Sequence, residues 1–293
     1  RRYIGHCYPV LCLSEPCSEY SEDSRGGTVS RMTSDQSPGP HLPAVYNLIA
    51  LETVGSTMTE ARKLADQGED AAPDGTLIWS KEQTEGRGRR DNTWDSPRGN
   101  FYSSLIVRPD VPASRAAELS FVTGCAVYDT IGELCEPGFN CRLKWPNDIL
   151  LNDSKIGGLL LEAKGETGQN VDYVIIGLGV NLRSHPEGTE FPATNFAEQS
   201  QAIPDYTFLE TYARHFLDHA ARWVEEGFEP IRADWKWRAK GIGKEIIVRL
   251  HSETMTGVFE DIAEDGSLIL NVDGDVRRID AGEVYFPDVI KEG

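Results

Sequence analysis

The chain has 293 residues, with 29 Lys+Arg against 47 Asp+Glu and a formal net charge of −18, so it lacks the basic footprint that a duplex-binding protein needs to displace counterions. Apolar residues make up 39% and charged ones 26%, ordinary for a soluble protein, and the length allows one large domain plus a small one. No apolar run reaches the roughly 18 residues of a membrane span and no secretory apolar region opens the chain. Nucleic acid and membrane are therefore not expected partners, and a cytoplasmic location is the default.

Residues 1–40 are rich in Ser, Pro, Gly and Glu without periodicity and read as a disordered N-terminal segment, too short for a helix-turn-helix; Met32 is a candidate natural start. Tyr46–Leu51 reads as a strand. Thr57-Met-Thr-Glu60 has the spacing of a capping box and predicts a helix that ends near Gly68. Thr76–Trp79 and Phe101–Val107 read as strands on either side of a polar loop. Residues 114–135 carry apolar side chains at helical spacing and stop at Pro137-Gly138. Three strands are predicted next: Cys141–Lys144, a run through Gly157–Glu162, and Tyr173–Leu182. A longer helix follows with Leu209, Tyr212, Phe216, Ala220 and Trp223 on one face, broken at Pro230, before a turn holding Trp235 and Trp237. After Gly241-Ile-Gly243 the pattern changes to short strands over Glu245–Leu250, Met255–Phe259, Ser267–Leu270 and Val276–Ile279, a small β-barrel in the making. The domain boundary is placed near 240.

Of six cysteines none forms a C-x-x-C pair, and the histidines do not fall at zinc-ligand spacings beside them. No protein metal site is expected, and Cys125, Cys135 and Cys141 are expected to be buried reduced thiols.

Two stretches carry chemistry. In Gln83-Thr-Glu-Gly86-Arg87-Gly88-Arg89-Arg90 glycines are interleaved with arginines. Glycine lets backbone N–H groups wrap an anion, and guanidinium forks grip phosphate or carboxylate. In so acidic a chain a small anionic ligand suits this loop better than a polyanion. In Lys144-Trp-Pro-Asn-Asp148, Pro146 ends a strand, so Asn147 and Asp148 project from a turn at the end of a sheet. A hairpin through Asn152-Asp153-Ser154 would return Lys155 beside Asp148.

Together these stretches resemble the biotin protein ligases, of the catalytic family shared with lipoate ligases. Ser56-Thr57, Gly86–Arg90 with Trp94, Lys144–Asp148, Lys155–Gly158 and Gly177-Leu-Gly-Val-Asn181 stand in the family's order, and the resemblance runs from about residue 45 to 288. It implies an α+β fold, with a mixed-sheet catalytic domain over 41–240 and an SH3-like β-barrel over 241–293; the short, disordered-looking lead is not expected to form the N-terminal DNA-binding domain that some members carry. It implies ATP-dependent activation of biotin to biotinyl-5′-AMP, with Mg2+ accompanying ATP, and transfer to a lysine of a biotin carboxyl carrier domain. A homodimer is compatible with it. Carried over by position, Lys155, Arg89 and Asp148 are the catalytic candidates. Ser56, Thr57, Gln83, Gly86, Arg87, Gly88, Arg89, Lys155 and Gly177 are expected to bind biotin, and Arg90, Lys144, Asn147 and Asn181 to bind ATP. The chemistry explains the cations. A carboxylate attacking a polyphosphate meets a repulsion of about 4 kcal/mol at ~4 Å and an effective dielectric near 20, which Arg87, Arg89 and Lys155 would offset.

Four positions depart from the family pattern: Gly55, where it has Asp; Met58, where it has Asn; Glu85, where it has a small residue; and Asp91, where it has Gly. Glu85 and Asp91 offset part of the arginine charge, which suggests a loop that closes less tightly on anions. A lipoate-type ligase, an inactive biotin-binding module and a repressor are the rival readings.

Overall fold

A computed structural model describes residues 30–31, 39–90, 92–166 and 168–287. The expected disordered lead lies almost entirely outside the described residues, as do Asp91, Cys7, Cys12 and Cys17. The first unit is an eight-stranded mixed sheet in the order β1-β2-β3-β4-β8-β7-β6-β5. Its strands are β1 (Ser30–Arg31), β2 (Asn47–Thr53), β3 (Thr76–Ser80), β4 (Phe101–Val107), β5 (Cys141–Lys144), β6 (Asp148–Leu151), β7 (Ser154–Gly165) and β8 (Val171–Val180). Only β2 and β3 pair in parallel, across the crossover helix α1 (Thr57–Ala65).

Alternation along the strands assigns the two faces. Val174, Ile176, Leu178 and Val180 of β8 join Phe101, Leu105 and Val107 of β4 in the larger core, covered by α3 (Leu119–Leu134), α5 (Asp205–Glu226) and α6 (Phe228–Arg238). Tyr173 and Ile175 face the other way, with Ile78, Ile106, Met58 and Ala61 beneath α1. Farther along that second face β8 carries Gly177, beside Met58 where α1 begins, and Gly179, beneath Trp94.

Short helices α2 (Ala113–Ala116) and α4 (Phe196–Gln199) complete the first unit. The second unit is an all-antiparallel five-stranded sheet, β12-β11-β10-β9-β13, from β9 (Glu245–Arg249), β10 (Thr254–Ile262), β11 (Leu268–Val272), β12 (Asp275–Ile279) and β13 (Glu283–Tyr285). Its inner residues Ile246, Val248, Phe259 and Leu270 belong to the same continuous core as α3 and α5. Trp145 is buried at the join, its indole N–H donating to the Gly266 carbonyl at 3.0 Å. No helix among the described residues is long and apolar enough to cross a membrane.

Several expectations need correcting. The capping box does not form: Ser56 occupies the N-cap position, without a side-chain cap bond, and the Thr57 hydroxyl is taken by Gln83. Asp148 opens a strand, β6, rather than projecting from a loop, because the Lys144–Asp148 turn is short enough to leave them cross-strand partners. Gly227, at φ 85°, ends α5. Pro230 sits in the first turn of α6, where its missing N–H is not needed, so Trp235 and Trp237 are helical. Trp235 is buried, whereas Trp237 is 70% exposed. Cys125 and Cys141 are free and buried, as expected, with burial pushing both thiols up to about 12; Cys135 is free and half-buried.

Candidate active site

A single cavity of about 490 Å³ opens where the arginine loop, the Lys144–Asp148 turn, the glycine-bearing ends of β7 and β8, the 186–193 segment and β13 meet. Of the residues singled out from the sequence, Ser56, Thr57, Gln83, Arg87, Gly88, Arg89, Lys144, Asn147, Asp148, Lys155, Gly177 and Asn181 line it, while Gly86 and Arg90 do not.

Its charged centre is built by two hairpins. Lys144 and Asp148 lie directly opposite each other across β5–β6, their side chains 2.7 Å apart. Asn152 and Asp153 both take positive φ (48° and 63°), turning the chain tightly from β6 into β7. Regular pairing from there would place Lys155 and Gly158 on opposite faces. Instead the register slips between Ile149 and Leu150, leaving Ile156 unpaired, so that Gly158 faces Asp148 while Lys155 faces Leu150. Residues 148 and 150 share a face, so this bulge aims Lys155 at Asp148, with its ammonium 2.5 Å from the carboxylate. The backbone of the bulge is held by Lys155 N donating to the Pro192 carbonyl and Asn181 N to that of Ile156, both at 2.7 Å. Burial tends to raise the Asp148 pKa, but the two ammonium groups outweigh it and hold the carboxyl below its ordinary range. Burial likewise pushes the Lys144 ammonium down against the pull of Asp148.

Residues 86–90 and 92–94 pair as the arms of a small hairpin: Gly88 N donates to the Asn92 carbonyl at 2.7 Å and Trp94 N to that of Gly86 at 2.9 Å. A Cβ on Gly86 would fall 2.3 Å from the Trp94 carbonyl oxygen, so glycine is needed here to close the hairpin rather than to touch a ligand. At the tip Arg89 donates to Asn147 Oδ1 at 3.2 Å and the Gly282 carbonyl at 3.4 Å, and no carboxylate among the described residues pairs with it. Burial and the neighbouring Arg90 lower its pKa from the ordinary guanidinium range. Arg90, at φ 53°, turns outward to Glu283 at 3.6 Å, and Arg87 pairs with Glu162 at 3.2 Å. Arg89 and Lys155 thus join Lys144 as cations facing the cavity, Lys155 held by Asp148 of the catalytic sheet and Arg89 by Asn147 of the Lys144–Asp148 turn and by Gly282 beside β13.

Beyond them the cavity continues past Ser56, Thr57 and Gln83. Gln83 Oε1 accepts from both the Thr57 N–H (2.8 Å) and the Thr57 hydroxyl (3.0 Å), which in turn accepts from Ser104 (2.9 Å). The Ser56 hydroxyl is buried on the cavity wall without a hydrogen-bond partner among the described residues, placed to bind a polar atom of a ligand. Gly177 and Gly179 clear the floor, since a Cβ on them would fall 2.6 Å from Met58 Sδ and 2.6 Å from Trp94 Nε1 respectively. Trp94 lies over Gly158 and Gly179 with the Lys155 ammonium 5.5 Å from its ring. Sequence reading missed Glu162, Phe191 (its ring 3.9 Å from the Lys144 ammonium) and the cavity-lining strand β13. The alternation of β7 could have placed Glu162 on the face of Gly158.

This fold and site define a class. The Biotin/lipoate A/B protein ligase family model matches residues 51–181, and that of the Biotin protein ligase C terminal domain matches residues 241–286. A biotin–[acetyl-CoA-carboxylase] ligase of Paracoccus denitrificans is 39% identical over 80% of this chain and 99% of its own length. A bifunctional ligase/repressor BirA of Bacillus subtilis is 32% identical over 81% of this chain and 73% of its own. The biotin protein ligase of Aquifex aeolicus in complex with biotin and ATP superposes with a TM-score of 0.69, at 26% identity, covering 82% of this chain and 97% of that one. The chain belongs to the biotin protein ligase family.

Proposed function

We propose that the chain is a biotin–[acetyl-CoA-carboxylase] ligase working in two steps. A biotin carboxylate oxygen attacks the α-phosphorus of ATP; the bond to the departing pyrophosphate breaks and biotinyl-5′-AMP forms. The amine of a carrier-domain lysine then attacks the acyl carbon, AMP leaves with the bonding pair, and the nitrogen loses a proton. The observation that carries this reading is the convergence of Lys155, braced by Asp148 and Lys144, with Arg89 on one cavity. Two fixed cations at one point are what is needed to bring a carboxylate to a phosphate and hold the charge of the transition state.

In this reading Ser56, Thr57 and Gln83 hold the biotin ring, Gly88 and the hairpin backbone cover its tail, and Lys155 bridges carboxylate and α-phosphate. Lys144, Asn147 and Asn181 face the nucleotide, and Arg90 acts from outside through Glu283. No group of three metal-ligating side chains forms among the described residues, so Mg2+ would enter on the phosphates of ATP as part of that substrate. The catalytic unit spans 41–240 and the SH3-like unit 241–293. A cytoplasmic location follows from the need for ATP and a carboxylase carrier domain. A homodimer would meet a partly covered edge at β5, where the Leu143 carbonyl already accepts from Lys240 N at 2.8 Å. Biotin-dependent exchange of labelled pyrophosphate into ATP is the test. Exchange supported by lipoate and not by biotin would overturn the substrate, and no exchange with either acid would overturn the activity.

A further inference from the structure

Glu162, midway along β7, has no place in the two-step scheme, yet it joins three elements around the cavity. Period-two alternation puts it on the face of Gly158 and Leu160. One carboxylate oxygen, Oε2, accepts from Arg62 of α1, with Nε at 3.0 Å and a closer contact to Nη2. The other, Oε1, accepts from Arg87 Nη1 at 3.2 Å. Arg87 forms the bridge with Thr93 that makes the stem of the 86–94 hairpin. The hairpin is therefore tied by a charge at its stem and by a longer one at its tip, Arg90 to Glu283 at 3.6 Å, while Arg89 itself meets only neutral acceptors. Of the two ion pairs on this segment, which carries an inward-facing cation, the shorter, Arg87–Glu162 at 3.2 Å, lies outside the reacting centre.

We infer that Glu162 is a positioning residue: fixed by Arg62, it anchors Arg87 and so sets the approach of Arg89 to the acid and nucleotide. This inference rests on the ligase reading above. The side chains of Glu162, Arg62 and Arg87 are 23%, 41% and 40% exposed, so the link is screened by salt and its loss is felt as loosening rather than collapse. A hairpin released at the stem should admit biotin with a higher KM and let the activated acid escape before it meets the carrier.

The test uses the full chain. Biotin-dependent pyrophosphate exchange gives KM and kcat, and acylation of lysines on an unrelated bystander protein measures escape. Glu162→Gln is expected to raise the biotin KM about three- to tenfold, more than it lowers kcat, and to raise bystander acylation by a similar factor. Glu162→Asp should recover at least half of the loss, and Arg87→Gln should reproduce Glu162→Gln with no further effect in the double variant. At about 1 M salt the wild type should approach the Glu162→Gln values. Wild-type KM and escape in a folded Glu162→Gln protein, or additive effects in the double variant, would overturn the inference. Should the wild type show no exchange at all, the function reading fails on its own account. The anchor is then read from tryptic cleavage of the ligand-free protein within 87–90: faster cleavage in Glu162→Gln upholds it, and equal rates reject it.

Discussion

Lys155 matters because it is charged, half-buried and held by a single carboxylate that it shares with Lys144. Truncating it leaves Asp148 and Lys144 paired but takes away the inward-facing ammonium, so Lys155→Ala should abolish pyrophosphate exchange while the thermal midpoint changes little; near-normal exchange would remove it from the mechanism. Asp148→Asn is the opposite case, leaving two crowded ammonium groups without a counter-charge, and should cost on the order of 3 kcal/mol in denaturant unfolding. The sign with pH is fixed by the direction of the shift. The folded-state pKa of Asp148 is depressed, so its contribution is present above the unfolded value of about 3.9 and is lost as pH falls through the folded value. Stability of the Asp148→Asn variant should therefore fall less steeply with acid than that of the wild type. At this scale the sequence was informative in part: Asp148 and Lys155 could be brought together on paper by one hairpin, whereas the pairing of Lys144 with Asp148 across β5–β6 was not read from it. The partner of Arg87 could not, because Glu162 looks like any solvent-face glutamate until a residue 75 positions away folds back onto it.

Elements were legible where a period or a turn residue fixes them. The strand Phe101–Val107, buried at every position, and the buried stripe of α5 follow from a short apolar, aromatic and β-branched run and from helical spacing, and the Asp273-Gly274 turn takes positive φ at both residues. Misreadings arose where a local motif competed with a tertiary partner. Thr57 has the spacing to cap its helix, but Gln83 and Ser104 claim its hydroxyl. The slipped register at Ile156 has no signature in composition at all. Packing between elements supplies the next expectation. A Cβ on Gly177 would meet Met58 Sδ at 2.6 Å and the Leu160 carbonyl oxygen at 3.2 Å. Gly177→Ala should therefore raise the biotin KM about tenfold or cost about 1–3 kcal/mol of stability. Since the nearer obstacle is the end of a flexible thioether, Met58→Ala on that background should recover most of the loss. No recovery would assign the constraint to the strand backbone instead.

Across the whole molecule, one apolar core runs from α3 and α5 into the five-stranded sheet, with Trp145 and Gly266 at the join. The two sheets should therefore unfold together, giving a single calorimetric transition whose van't Hoff and calorimetric enthalpies agree; two resolved transitions would show the join to be weak. The change from long periodic segments to short strands near residue 240 was readable in the sequence. The shared core was not, because it depends on side chains from the two sheets meeting in space.

The cluster of Arg89, Lys144 and Lys155 around one aspartate also has a reach beyond its own contacts. The protein as a whole carries −18, so an approaching ATP tetra-anion is first turned away and then, within a few ångströms of the mouth, drawn in. Dilute electrolyte should damp the outer repulsion, with its ~10 Å screening length at 0.1 M, before it weakens the inner attraction. The nucleotide capture rate measured by stopped flow should accordingly climb, peak and then decline as salt is added; a steady decline from the lowest concentration would mean that the mouth alone governs the encounter.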